Sequence, residues 1–319
     1  MKKPSPLAFL KSAKQPIKTS NDVMTNQWVL ITGSTSGIGL AAAERFAQGH
    51  ANLILLGRNA DKLNQQKLDL MKRFAIHVKT YVADFSRLAS LDSAIAKIKQ
   101  DNIVLDVLIN NAGVYSTKKI LTKDQLELGL TVNHLASFHL TDQLRSNMKR
   151  PGGRIIQVNS EGHRFSGFPI LDPNFSKRRY TGLRSYGSSK TAQLHTVWAL
   201  APELKKQGVT LLAMHPGEVK SNIGLNNGWL YRIFKKWFLG LMLKDVHRSS
   251  DALYYLANHP TVDEYAGQYF YLTAPSEVAT HAQPSSYSHD VLRWTQQTIQ
   301  RILSPNSQTI PRKDLYLLT

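Results

Sequence analysis

The chain of 319 residues contains no cysteine. That excludes disulfides, thiolate catalysis and cysteine-based zinc sites together, and it fits a reducing compartment. No run approaches the roughly 18 apolar residues that a membrane-spanning helix needs. The first apolar patch, Leu7 to Leu10, is too short for a signal-peptide core. Acidic residues are few, 22 against 40 lysines and arginines, for a formal net charge of +18. Such an excess attracts polyanions and anionic membrane surfaces. Here the cations are dispersed, with neither zinc-finger spacing nor an RNA-binding aromatic motif, so nucleic acid is not an expected partner. His134, His163, His195 and His215 show no metal-ligand spacing, and no metal is expected. They read as packing, capping or pocket-wall residues, with His163, three residues past Ser160, the candidate for touching substrate.

From Trp28 onward, apolar strand-like runs alternate with helical patterns, which argues for βαβ units and a parallel sheet. The predicted strands are 28–32, 52–57, 77–83, 104–110, 154–159, 209–215 and 268–272, and the predicted helices are 38–48, 60–74, 90–100, 123–149 and 186–206. The fold class is therefore α/β, a doubly wound, mostly parallel seven-stranded sheet with helices on both faces in a single domain. Residues 1–26 read as an exposed basic arm or loosely docked leader, 27–302 as the domain, and 303–319 as a tail. Within 225–244, Leu230, Ile233, Phe234, Trp237, Phe238 and Leu241 share one helical face opposite Arg232, Lys235 and Lys236. This insertion is expected to be an amphipathic lid over the substrate pocket, with a face suited to peripheral contact with an anionic membrane.

The run from Val29 to Gly39, VLITGSTSGIG, leaves a buried strand, turns through glycines and enters a helix. Gly33 permits the tight turn, Gly37 lets the backbone approach a pyrophosphate, and Gly39 allows the helix to pack closely on the sheet. The helix N-terminus offers unpaired N–H groups and a positive dipole to phosphates. Gly33, Ser34, Ser36, Gly37, Ile38 and Gly39 are thus candidates for binding a dinucleotide. At the end of the second strand, Gly57 stands where an NAD-preferring site places a carboxylate, and Arg58 follows. A guanidinium suits a 2′-phosphate, so NADP(H) is favoured over NAD(H).

Tyr186 and Lys190 are four residues apart, on one helix face. A phenol of pKa about 10 is a poor acid-base group at neutral pH, but a nearby ammonium stabilises phenolate. Ser160 ends one strand, VLINNAG from Val107 to Gly113 ends another, and Asn133 lies in the following helix, where an amide needs a local partner.

With Asp84 and the segment Pro216–Ser221, these motifs resemble the short-chain dehydrogenase/reductase superfamily over about 28–294. The resemblance implies a Rossmann-type fold, with Tyr186 as acid-base residue and Lys190 lowering its pKa while binding the nicotinamide ribose. Ser160 would bond the substrate oxygen and Asn133 a relay water. Asp84 would contact adenine, Asn111 and Gly113 would line the cofactor cleft with Pro216, and Val219 would contact the carboxamide. DFSRLASL from Asp84, Val132-Asn-His and the late Ser288-His-Asp segment are similar to the retinol-dehydrogenase-like and protochlorophyllide-reductase-like branch. Glu161, expected at the pocket rim, departs from that branch and argues against a retinoid-like substrate.

The expected function is an alcohol dehydrogenase or carbonyl reductase acting on a lipophilic small molecule. The alternatives are a carbon–carbon double-bond reductase of the same fold and a non-catalytic NADP(H)-sensing or scaffold protein. A cytoplasmic location, with membrane contact at the surface through 225–244, is expected, and the resemblance implies a homo-dimer or homo-tetramer.

Overall fold

The computed structural model describes residues 16–217 and 246–304. The proposed lid at 225–244, the tail from 305 and Val219 lie outside them.

Eight strands form one sheet in the order β3-β2-β1-β4-β5-β6-β7-β8. They are β1 (Trp28–Thr32), β2 (Asn52–Gly57), β3 (Val78–Val82), β4 (Val107–Asn110), β5 (Gly153–Val158), β6 (Val209–His215), β7 (Tyr269–Tyr271) and β8 (Ala274–Pro275). All neighbours pair in parallel except β7 and β8, which are antiparallel. The helices are α1 (Gly37–Gln48), α2 (Ala60–Arg73), α3 (Leu88–Gln100), α4 (Ala136–Leu144), α5 (Gly182–Lys206), α6 (Val246–Asn258) and α7 (Ser286–Leu303).

The reason for two layers of helices lies in the period of the strands. Val29 and Ile31 face one core with α1, α2 and α6, while Leu30 faces the other with α3, α4, α5 and α7. Every residue of β2 is buried, as a strand covered on both faces requires. The order reverses at β1, whose neighbours are β2 on one side and β4 on the other. A crevice beyond the carboxyl ends of strands opens at such a switch, and the glycine loop after β1 lies there.

Three expectations are corrected. The sheet gains an eighth strand, the two-residue β8, too short to read from alternation. The helix expected over 123–149 begins only at Leu128 and runs through a π-helical turn, Leu130–Leu135, into α4. Upstream, Gln125 takes a left-handed φ of 59° and Leu121 bridges Glu127, so helix-compatible residues there make a turn. The segment read as an exposed arm or loosely docked leader is docked from Ile17 onward: Ile17 packs against the core and the Lys18 N–H donates to Thr273 Oγ1 (3.0 Å). Met24 is fully buried, its N–H donates to the Gly49 carbonyl (2.7 Å), and Arg45 donates to the Ser20 carbonyl (2.7 Å).

Helix α7 is held by buried imidazoles. His134 Nε2 lies 2.8 Å from Thr295 Oγ1, and His195 Nδ1 lies 3.0 Å from Ser288 Oγ. Burial lowers His134 to about 3 and His195 to about 4, so both are neutral in the folded chain at neutral pH.

Met24→Ala should destabilise the fold by about 2–5 kcal/mol, the usual cost of truncating a buried methionine. Denaturant unfolding measures this, and an unchanged midpoint would show that the segment is not packed. The imidazoles also give a pH dependence. Their folded pKa values lie below the unfolded value near 6.5, so the unfolded chain binds more protons as pH falls from about 6.5 to about 4. Stability should fall over that window, and replacing His134 and His195 by Gln should flatten the fall.

Candidate functional site

The glycine loop is shaped by contacts that tolerate no side chain. Gly33 and Gly37 have φ of +66° and +55°, a region that favours glycine. A Cβ on Gly39 would lie 2.3 Å from the Gly33 carbonyl oxygen and 2.5 Å from Asn111 Nδ2. Asn111 ties this loop to β4: its Nδ2 donates to the Thr32 carbonyl (2.9 Å), and its N–H donates to Thr32 Oγ1 (2.9 Å). Ser36 stands at the N-cap of α1 without a side-chain capping bond. The Ser34 hydroxyl is buried and finds no partner among the described residues. First-turn N–H groups at the start of α1, the Ser34 hydroxyl and glycines that keep Cβ atoms out of the close approach fit a bound pyrophosphate.

The other cofactor candidates sit around this loop with differing local ties. Arg58 is exposed just past the end of β2. Asp84 accepts from the N–H and the hydroxyl of Ser86 (2.9 and 2.7 Å), an Asx turn that leads into α3. The Pro216 carbonyl beyond β6 accepts from the Ser249 hydroxyl (2.6 Å).

Tyr186 and Lys190 lie on the first half of α5, which begins at Gly182 behind a Thr181 cap accepting from the Arg184 N–H (3.2 Å). The Lys190 ammonium donates to the Val158 carbonyl (3.0 Å) and stands 5.7 Å from the centre of the Tyr186 ring. Burial lowers the Lys190 pKa to about 7. Ser160 comes next to this pair through a glycine. A Cβ on Gly162 would lie 2.5 Å from the Tyr186 ring and 3.3 Å from Ser160 Oγ, so serine and phenol face each other across its missing side chain. Tyr115 packs edge-on against Tyr186, with ring centres 5.8 Å apart.

Asn133 is wholly buried in the π-helical turn, a helix irregularity often found at functional sites. Its Oδ1 accepts from the Val114 N–H (2.8 Å), and its Nδ2 donates to the Val114 carbonyl (3.1 Å) and Ser189 Oγ (2.9 Å). Its own carbonyl accepts from Ser137 Oγ (2.7 Å) and from Gln193 Nε2. The absent side chain of Gly113 leaves a point 3.4 Å from Asn133 Oδ1 and 4.0 Å from Lys190 Nζ.

Two polar residues read from the sequence are already engaged within the fold. His163 is a packing and capping residue. It is fully buried, with Nδ1 2.8 Å from the Ser160 carbonyl and Nε2 accepting from the Ala279 N–H (3.1 Å). Burial lowers its pKa to about 4. Glu161 pairs with Arg164 and accepts from the Tyr269 hydroxyl (2.8 Å). Ser189 and Gly162 were missed. Ser189 sits within the Tyr186–Lys190 run, where a helical hydroxyl seeking a partner was a readable signal; nothing local marks Gly162.

Residues 27–227 match the family described as short chain dehydrogenase. Short-chain dehydrogenase TIC 32 A, chloroplastic, of Brassica napus is 31% identical over 268 residues, 78% of this chain and 82% of that protein. Human retinol dehydrogenase 13 is 30% identical over 257 residues, 79% of this chain and 78% of that protein. Among solved structures, L-sorbose reductase from Gluconobacter frateurii, complexed with NADPH and L-sorbose, superposes with a TM-score of 0.64 at 21% identity, covering 79% of this chain and 97% of that one. A glycine loop at the sheet's switch point, matched together with its Tyr–Lys helix across most of the sequence, makes this chain a member of the short-chain dehydrogenase family, in its retinol-dehydrogenase-like branch.

Proposed function

We propose that the protein is an NADP(H)-dependent alcohol dehydrogenase or carbonyl reductase acting on a lipophilic alcohol or carbonyl compound. The reading is carried by Lys190 Nζ standing 5.7 Å from the centre of the Tyr186 ring, with Ser160 Oγ and the ring meeting at Gly162 and Asn133 Oδ1 meeting Lys190 Nζ at Gly113.

The nicotinamide cofactor, when bound, supplies or accepts the hydride. The Tyr186 phenol exchanges a proton with the substrate oxygen, and Ser160 Oγ hydrogen-bonds the same oxygen. Phenolate is too basic at neutral pH unless a cation stabilises it; the Lys190 ammonium is that cation, and because burial disfavours its charge and draws its pKa to about 7, it holds its proton below that pH. Asn133 Oδ1 keeps a lone pair toward the open side of Gly113, where it would hold a relay water leading to Lys190. The loop from Gly33 to Gly39 would hold the pyrophosphate, Asp84 the adenine, Lys190 the ribose and Arg58 the 2′-phosphate.

Two observations support a lipophilic substrate. Leu183, three residues before Tyr186 on the same helix face, is 51% exposed, and Phe165 is 57% exposed beside Gly187. Two exposed apolar side chains thus stand near the Tyr186 stretch of α5. The charge of Glu161 is compensated by Arg164, which removes the electrostatic objection to an apolar ligand. A relative named retinol dehydrogenase 13 agrees with this class, and the NADPH in the L-sorbose reductase complex agrees with the cofactor. No described helix is long and apolar enough to cross a membrane.

Tyr186→Phe should lower turnover on aldehydes or ketones by about 10²- to 10⁴-fold while NADPH affinity stays near wild type. Wild-type turnover by this variant would refute the mechanism. Arg58→Ala should weaken NADP(H) by about ten- to a hundredfold, the value of one charge-assisted contact, and leave NAD(H) nearly unaffected. Dissociation constants for both cofactors check this, and equal losses would remove Arg58 from cofactor selection.

A further inference from the structure

The proposed chemistry leaves one buried acid without a part. Glu127 is 1% exposed, six residues before Asn133 and outside the glycine loop. Its carboxylate accepts from the N–H groups of Leu130 (2.7 Å) and Gly129 and from the Ser185 hydroxyl, and the Tyr180 hydroxyl lies 3.5 Å from it. These partners are all neutral, and burial pushes its pKa up. A carboxylate kept in such a place at a desolvation cost needs a reason.

The reason is visible in where its partners lead. Leu130 and Thr131, which donates to the Glu127 carbonyl through both N–H (2.9 Å) and hydroxyl (3.0 Å), open the π-helical turn that carries Asn133. The Asn133 amide donates to Ser189 Oγ, whose hydroxyl donates to the Tyr186 carbonyl (2.8 Å). Ser185, the residue before Tyr186, donates back to Glu127. The contacts close a circuit: Glu127, the Asn133 turn, Ser189, Tyr186, Ser185 and Glu127 again. The Glu127 N–H also donates to Asn174 Oδ1 (2.8 Å), and the Tyr180 hydroxyl donates to the Ser116 carbonyl (3.0 Å), so the loops at Asn174 and Ser116 hang from the same node.

We propose that Glu127 is a positioning residue for the reaction proposed above, on which this inference rests: through Ser185 and the Asn133 turn it holds the Tyr186 phenol in one geometry without touching substrate. Small displacements of a reacting group from remote changes cost rate far more than affinity.

Ser185→Ala opens the circuit and leaves the two amide contacts of Glu127 in place, so the chain should fold as before. Turnover should fall about tenfold or more, with KM and the NADPH dissociation constant within about twofold of wild type. Glu127→Leu, which strands two buried N–H groups, should fall further. Glu127→Gln should recover most of the rate, because its oxygen can accept from those amides and hydroxyls can reverse toward its NH₂. A readout free of turnover separates this proposal from the assigned reaction. In ring-¹³C tyrosine NMR, the resonance missing from Tyr186→Phe identifies the phenol, and its titration should move by about half a unit or more in Ser185→Ala. A moved titration in a protein that reduces no carbonyl upholds the positioning role and overturns the reaction. An unmoved titration in Ser185→Ala overturns the positioning role whatever the rate does.

Discussion

The arrangement depends on one buried amide. Asn133 has no access to water, and a buried amide is costly unless its groups are paired. Its pairing reaches the chain after β4 at Val114 and helix α5 at Ser189, and its carbonyl is held from Ser137 and Gln193. Two segments far apart in sequence are thereby locked to one π-helical turn. A regular helix would place successive residues on a 3.6-residue spiral; the wider turn changes that phase just where the side chain must reach Val114.

The same economy of space governs the cofactor side. Between Gly33, Gly39 and Asn111 the backbones approach so closely that added Cβ atoms would collide. The approach brings the N-terminus of α1 to the crevice between β1 and β4, which the strand order opens. Position, hydrogen-bond donors and dipole thus arise from a single tight crossing. Lys190 stands at the junction of the two halves: its ammonium is tied to the end of β5 at Val158, with the phenol on one side and Asn133 Oδ1 near the other.

Burial explains the features in which this chain departs from a reading of charge and polarity alone. Imidazoles at 134, 163 and 195 are neutral struts for α5, α7 and the turn after Ser160. Glu161 is compensated within its own 3₁₀ turn by Arg164. Glu127 is compensated by amides and hydroxyls. In each case the charge or hydrogen-bonding capacity that looked available in the sequence is already engaged within the fold.

Sequence alone determined the alternation of strands and helices, because a strand buried on both faces must be apolar along its length and a helix must show its own period. It also determined the candidates Gly33, Gly37, Gly39, Tyr186, Lys190, Ser160 and Asn133, since their residue types and spacing each answer a local chemical demand. The start of the helix at Leu128, the strand β8 and the docking of residues 17–26 were decided by tertiary contacts. Gln125 turns and Met24 buries for reasons lying tens to hundreds of residues away, at Asn174 and Tyr254. The parts played by Gly162, Ser189 and Glu127 were decided in the same way. Hydrogen bonds and close contacts act over about 3 Å, and only the folded chain says which residues come that near.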